Sequence, residues 1–127
     1  MNVAVNSNIP RDLTMAAQDP VFVASILATA ADVTMVLTAD GVICDQINAG
    51  SELPRKLFET WPGKKLTETV TVESRSKIEQ LLGDTRNGMP PRWRQVNHPI
   101  KDGEDIPVSY SAVRAGPHGH IIAIGRD

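Results

Sequence analysis

The stretch Val33-Thr34-Met35-Val36-Leu37-Thr38-Ala39-Asp40-Gly41-Val42-Ile43 decides the fold class. Val33 to Leu37 is β-branched and apolar, Asp40-Gly41 supplies a tight turn, and Val42, Ile43 and Ile47 return. That pattern is a β-hairpin near the front of the chain. Three more strands follow near its end. Arg92 to His98 has mixed polarity, Ile106 to Arg114 alternates, and His120 to Gly125 is a short apolar run. Lys101-Asp102-Gly103 and Gly116-Pro117-His118-Gly119 are the turns between them. A hairpin and a three-stranded meander separated by helices make an α+β fold, with a five-stranded antiparallel sheet and flanking helices.

Between the two strand groups, Gly50 to Gly63 is interrupted by Pro54 and Pro62 and reads as short helical turns. From Thr71 to Arg86 the i, i+3, i+4 spacing of Ile78, Leu81 and Leu82 predicts a helix, with Glu73 four residues before Lys77 for an ion pair. Asn87-Gly88 stops it.

Ahead of the hairpin, residues 1–18 carry Asn2, Asn6, Ser7 and Asn8 around a Pro10 break. They are expected to be a flexible N-terminal flank. Asp19-Pro20 then has the chemistry of a helix start, an N-cap followed by proline at the first helical position. The helix expected over 21–31 is apolar nearly all round. Its only polar residues are Ser25 and Thr29, four apart on one narrow stripe. Such a helix needs burial on more than one side, and in a small domain the second side is expected to be another chain, with burial wholly within its own domain as the alternative. Val21, Phe22, Ile26 and Leu27 are the interface candidates.

Composition narrows the classes. The chain has 127 residues, enough for one domain with one core. Thirteen basic and fifteen acidic side chains leave a net charge of −2, whereas a domain built to hold nucleic acid is normally basic. The single cysteine, Cys44, rules out an internal disulfide and a multi-thiolate zinc site. A cytoplasmic location is the expectation, with no secretory signal and no apolar run of the ~18 residues that a bilayer requires.

Asp40-Gly41-Val42-Ile43, then Asn48-Ala49, then Gly63 ahead of Lys64-Lys65-Leu66 resemble the hallmarks of PAS domains. Longer strings are more specific. Thr69-Val70-Thr71-Val72-Glu73-Ser74-Arg75, Arg92-Trp93-Arg94-Gln95-Val96-Asn97-His98-Pro99, Pro107-Val108-Ser109-Tyr110-Ser111-Ala112-Val113 and Ile124-Gly125-Arg126-Asp127 resemble the N-terminal PAS-like domain of the PpsR/CrtJ repressors. Those repressors control photosynthesis genes in purple bacteria. The resemblance runs over about residues 19–127. It implies a PAS-like domain belonging to a larger protein with a Gln-rich linker, further PAS domains and a C-terminal helix-turn-helix. DNA would be read only through that helix-turn-helix, which this chain does not contain. It further implies a homodimer or higher homo-oligomer, with an antirepressor or photoreceptor protein as a further partner.

Chemistry is sparse. The long helix has no histidine of the kind that ligates haem in PAS domains. The region from Ser51 to Leu66 has no cysteine of the flavin-photosensor kind. No tightly bound cofactor is expected, and Phe58 and Leu66 are expected to fill the interior. His118 and His120 in a turn, with His98 on another strand, are too few for a metal site. Ser109 or Ser111 with His98 and Asp102 has the residue types of a hydrolytic triad, but no nucleophile-elbow sequence accompanies them, and alternating serines are a polar strand face. Cys44 is expected to be an inert small hydrophobe beside Asp45 rather than a sensing thiol. Arg92, Arg94, Arg114 and Arg126 with Trp93 are expected to be a polar strand edge rather than a base-stacking platform. The expected function is therefore a noncatalytic interaction domain of a transcriptional repressor. A PAS sensor holding a small ligand or tetrapyrrole is the alternative.

Overall fold

Asp19 and Pro20 open the first helix as their chemistry requires. In the computed structural model, which describes residues 19–48, 58–101 and 103–127, the Asp19 carboxylate accepts a hydrogen bond from the Val21 N–H at 2.9 Å. Helix α1 spans Pro20–Leu27 and tightens into a 3₁₀ turn at Ala28–Ala30. The helix expected over 21–31 is thus an α-helix with a 3₁₀ end. The flank at residues 1–18, and most of the stretch from Gly50 to Gly63, lie outside the described residues.

Strand β1 (Val33–Leu37) runs through the Asp40-Gly41 turn into β2 (Ile43–Asn48). Gly41 has φ of +90°, and a Cβ there would lie 2.7 Å from Leu82 Cδ1. Glycine is required both by the backbone and by the helix packed against the turn. In the ladder Leu37 faces Ile43 while Val36 faces Asp45, so Cys44 is the extra residue of a β-bulge. The thiol is exposed at that bulge, where the expectation was an inert small hydrophobe.

The segment from Trp61 to Leu66 is laced to the hairpin. The Ile43 N–H donates to the Lys64 carbonyl at 2.8 Å, Gly63 N–H to Ile43 at 2.9 Å, and Leu66 N–H to Gly41 at 2.9 Å. Two 3₁₀ turns, Leu66–Thr69 and Val72–Ser74, then lead into α2 (Arg75–Arg86). The helix begins at Arg75 and not at Thr71, because Thr71 is extended and donates its N–H to the Asn97 carbonyl at 2.8 Å. The expected Glu73–Lys77 ion pair does not form either. Lys77 Nζ instead donates to the Gln95 carbonyl at 3.1 Å. Among the described residues the ion pair is Arg94 with Asp84, at 3.2 Å.

Strands β3 (Arg94–His98), β4 (Ile106–Ala115) and β5 (His120–Arg126) form the meander. The strand order is β2-β1-β5-β4-β3, every neighbouring pair antiparallel. This is the five-stranded α+β sheet that the strand pattern predicts. The meander closes on the hairpin through β1 and β5, which makes β1 an inner strand with all five residues buried. One face of the sheet packs under Ile78, Leu81 and Leu82 of α2 and under Phe58, Trp61 and Leu66. The other face packs α1 on Val36 and Ile122 through Ala24, with Val23 and Leu27 beside it.

Gly125 lies in a crowded part of the inner core. A Cβ at that position would sit 2.6 Å from Val33 Cγ1 and 2.7 Å from Tyr110 Cε1. Gly83, inside α2, has open space around the same position. Gly125→Ala is expected to destabilise the domain by about 1–3 kcal/mol in urea titrations. Gly83→Ala is expected to stabilise it by roughly 0.5–1 kcal/mol through helix propensity. Equal midpoints for the two variants would contradict this packing.

Candidate functional site

The interior between α2 and the sheet and the outer surface of α1 both have the geometry to act on something else. The interior is built from Phe58, Trp61, His98 and Tyr110, each no more than 2% exposed. His98 Nδ1 lies 2.7 Å from the Thr69 carbonyl oxygen. A carbonyl can only accept, so Nδ1 carries the proton, and Nε2 is left to accept from the Tyr110 hydroxyl at 2.7 Å. Trp61 packs on the imidazole with ring centroids 4.6 Å apart, and Phe58 meets Trp61 edge-on at 4.6 Å. The result is a buried aromatic layer crossed by a satisfied polar bridge, which ties β3 and β4 to the turn ahead of α2.

Burial pushes the His98 pKa below its ordinary 6.5, while its bond to the Thr69 carbonyl works weakly the other way. Burial likewise raises the Tyr110 hydroxyl. Both groups therefore stay neutral. The mixed polarity of the strand from Arg92 to His98 did not single His98 out as a core residue. Its partners Thr69 and Tyr110 come from separate segments, so the only sequence signal was a histidine in phase with Val96 along a strand.

The other candidate histidines stand elsewhere. His118 is exposed, and its ring is 6.4 Å from that of His120, both in or beside the last turn. Among the described residues no group of three His, Cys, Asp or Glu side chains has the arrangement to hold a metal ion. The serines are separated from His98 by the sheet itself. Ser109 and Ser111 alternate with Val108, Tyr110 and Ala112, which belong to the inner core, whereas His98 faces inward. Asp102 lies outside the described residues. The arginines are also divided: Arg94 donates to Gln80 and Asp84, and Arg126 stacks over the Trp93 ring at 4.5 Å.

On α1, Val21 and Ile26 are 45% and 55% exposed. Phe22, four residues before Ile26 and on the same side of the helix, is half-buried. Leu27 is half-buried in the cluster with Val36 and Ile122, so it turns toward the chain's own sheet. The two hydroxyls on this helix are turned inward along it: Ser25 donates to the Val21 carbonyl at 2.9 Å and Thr29 to the Ile26 carbonyl at 2.8 Å. The outward surface is consequently apolar with little unmet hydrogen-bonding demand.

A pH dependence follows from His98. The unfolded chain holds a proton on this imidazole up to about pH 6.5, and the folded one releases it at lower pH, so the unfolded state binds more protons just below 6.5. Stability is therefore full above that pH and declines as the pH falls through 6.5 toward the folded value. His98→Phe is expected to flatten that part of the profile while lowering stability at pH 8 by about 1–3 kcal/mol, because the Thr69 carbonyl and the Tyr110 hydroxyl lose their partner. Urea titrations between pH 5 and 8 read both effects.

Comparison with known proteins fits this geometry. No family model matches the chain. Protein CrtJ of Rhodobacter capsulatus is 27% identical over 109 residues, 85% of this chain and 23% of that protein. The chain thus spans about a quarter of the length of this relative. Among solved structures, the PAS domain of an HTR-like protein from Haloarcula marismortui superposes with a TM-score of 0.55 at 20% identity, over 83% of this chain and 93% of that one. PAS-B of Drosophila melanogaster Cycle, with bound ethylene glycol, gives a TM-score of 0.61 at 12% identity, over 73% and 96%. A PAS domain from Desulfitobacterium hafniense gives 0.59 at 18% identity, over 81% and 98%. The fold is that of a PAS domain, and its sequence is similar to a segment of CrtJ.

Proposed function

We propose that this PAS domain is a noncatalytic assembly module of a transcriptional repressor of the PpsR/CrtJ type, and that it associates with a second copy through the outer face of α1. The observation that carries this reading is the surface of Val21, Phe22 and Ile26, left apolar while Ser25 and Thr29 satisfy their hydroxyls on the helix backbone. Burying a few such side chains contributes about 1.5–3 kcal/mol each before the costs of association. In the parent repressor the assembled domains would set the spacing of DNA-reading parts located outside this chain, in the cytoplasm. An antirepressor or photoreceptor protein would act by disturbing that assembly in response to light or redox state.

The alternative, a ligand-holding sensor, has to reckon with the interior. A small molecule there would have to displace Trp61 or break the His98 bridge, since Phe58, Trp61, Leu66 and Tyr110 are packed together in the same core. Noncatalytic action agrees with the sheet that separates Ser109 and Ser111 from His98.

Analytical ultracentrifugation tests the assembly reading. The wild-type chain is expected to sediment as a dimer or higher homo-oligomer at tens of micromolar, and the double variant Phe22→Asp, Ile26→Asp as a folded monomer with unchanged circular dichroism. Leu27→Asp is expected to unfold the domain instead, because Leu27 packs on its own sheet. A double variant that stays oligomeric removes α1 as the interface. One that unfolds assigns the whole helix to the chain's own core.

A further inference from the structure

After α2 the chain doubles back and leaves a cleft against that helix. Asn87 and Gly88 donate their N–H groups to the Gly83 and Thr85 carbonyls, and the Met89 N–H returns to the Asp84 carbonyl at 2.9 Å. Gly88 makes this reversal with φ of +71°. Pro90 and Pro91 then stiffen the path, since each ring holds φ at about −65°. The path leads to Arg92 and to Arg94, where β3 begins. A cleft of about 670 Å³ lies here, lined by Gln80 and Asp84 from α2 and by Met89, Pro90, Arg92 and Arg94 from the returning segment. That volume is of the size that small-molecule sites have.

The lining has a chemical preference. Gln80 and Asp84 are four apart, so both stand on one side of α2, and together they hold the Arg94 guanidinium. Its Nη1 donates to Gln80 Oε1 at 3.0 Å and its Nη2 to Asp84 Oδ2 at 3.2 Å. Its Nε is buried and has no acceptor among the described residues, a cost that an acceptor arriving beside it would offset. Arg92 is exposed, and among the described residues it has no carboxylate partner. Met89, 56% exposed, and Pro90 give the cleft its apolar surface. Two arginines against one aspartate leave a single positive charge unanswered. A guanidinium fork matches a carboxylate with two parallel hydrogen bonds. Asp84 repels any further negative charge, which disfavours a phosphate dianion.

We propose that this cleft binds a small organic monocarboxylate, with its carboxylate on Arg92 and the free donors of Arg94 and its apolar body against Met89 and Pro90. Such a ligand bridges the end of α2 and the start of β3. The helix α1 packs on Val36 and Ile122, and the aromatic layer around His98 is buried, so the cleft is separate from both. It opens to solvent at Met89 and Arg92, so its ligand exchanges freely and is lost on purification.

NMR titration of the 127-residue chain tests this. Phenylpropionate at millimolar concentration is expected to give saturable shifts at the amides of Met89, Arg92 and Arg94 and at the Arg94 Nε–H. Its neutral counterpart, phenylpropionamide, is expected to bind at least tenfold more weakly. Arg92→Gln is expected to weaken phenylpropionate at least tenfold while leaving the rest of the spectrum in place, because the side chain is exposed. Absence of saturable shifts would overturn the proposal, as would equal binding of acid and amide or unchanged binding to Arg92→Gln. Tighter binding of phenyl phosphate than of phenylpropionate would make the cleft a phosphate site and overturn the carboxylate assignment. Shifts centred on Phe58, Trp61 and Tyr110 would place the ligand in the interior and overturn it equally.

Discussion

Strand β1 must be covered on both faces, and much of the structure follows from that constraint. All five of its residues are buried, because it lies between β2 and β5 and its sequence is apolar at consecutive positions rather than alternating ones. Val33, Met35 and Leu37 belong to the layer beneath α2, while Val36 belongs to the layer beneath α1. Without α1, Val36 and Ile122 would face water. The helix is thus part of the fold first, and its composition explains why its outer side is apolar as well. An apolar helix laid on a sheet spends one side on its own domain and leaves the other side as apolar as the first.

The inner layer is organised differently. It closes around His98, which joins Thr69 to Tyr110 with both ring nitrogens engaged. A neutral imidazole has one donor and one acceptor, and here each meets a complementary group, so the bridge carries no unsatisfied ring nitrogen into the core. Trp61 packed on the same ring keeps water from it. A sheet that is occupied on its inner face in this way communicates with other molecules most readily through its outer helix and its edges.

Much of this was legible from local chemistry. Asp40-Gly41 and Asp19-Pro20 announce a turn and a cap because the atoms that enforce them are neighbours in the chain. Five strands and their antiparallel arrangement followed from alternation and turn residues, with ends within two residues of those observed. Distant partners were not legible. His98 finds its acceptor 29 residues away, and Lys77 leaves Glu73 for a carbonyl on β3. Cys44 looks like a strand residue until the register of β1 with β2 shows a bulge. Leu27 and Ile26 are indistinguishable by composition in a helix apolar all round. Only the positions of Ala24 and Ala28, buried on the sheet side, show that Leu27 faces inward with them and Ile26 outward.

Native mass spectrometry of the purified chain bears most directly on the central claim that the interior is closed by its own side chains and that α1 makes the contact between copies. Assembly through α1 over a filled interior predicts an even multiple of 13.8 kDa with no added mass. A monomer carrying the mass of a bound small molecule would contradict it, and would move the functional site from the outer helix to the space around His98.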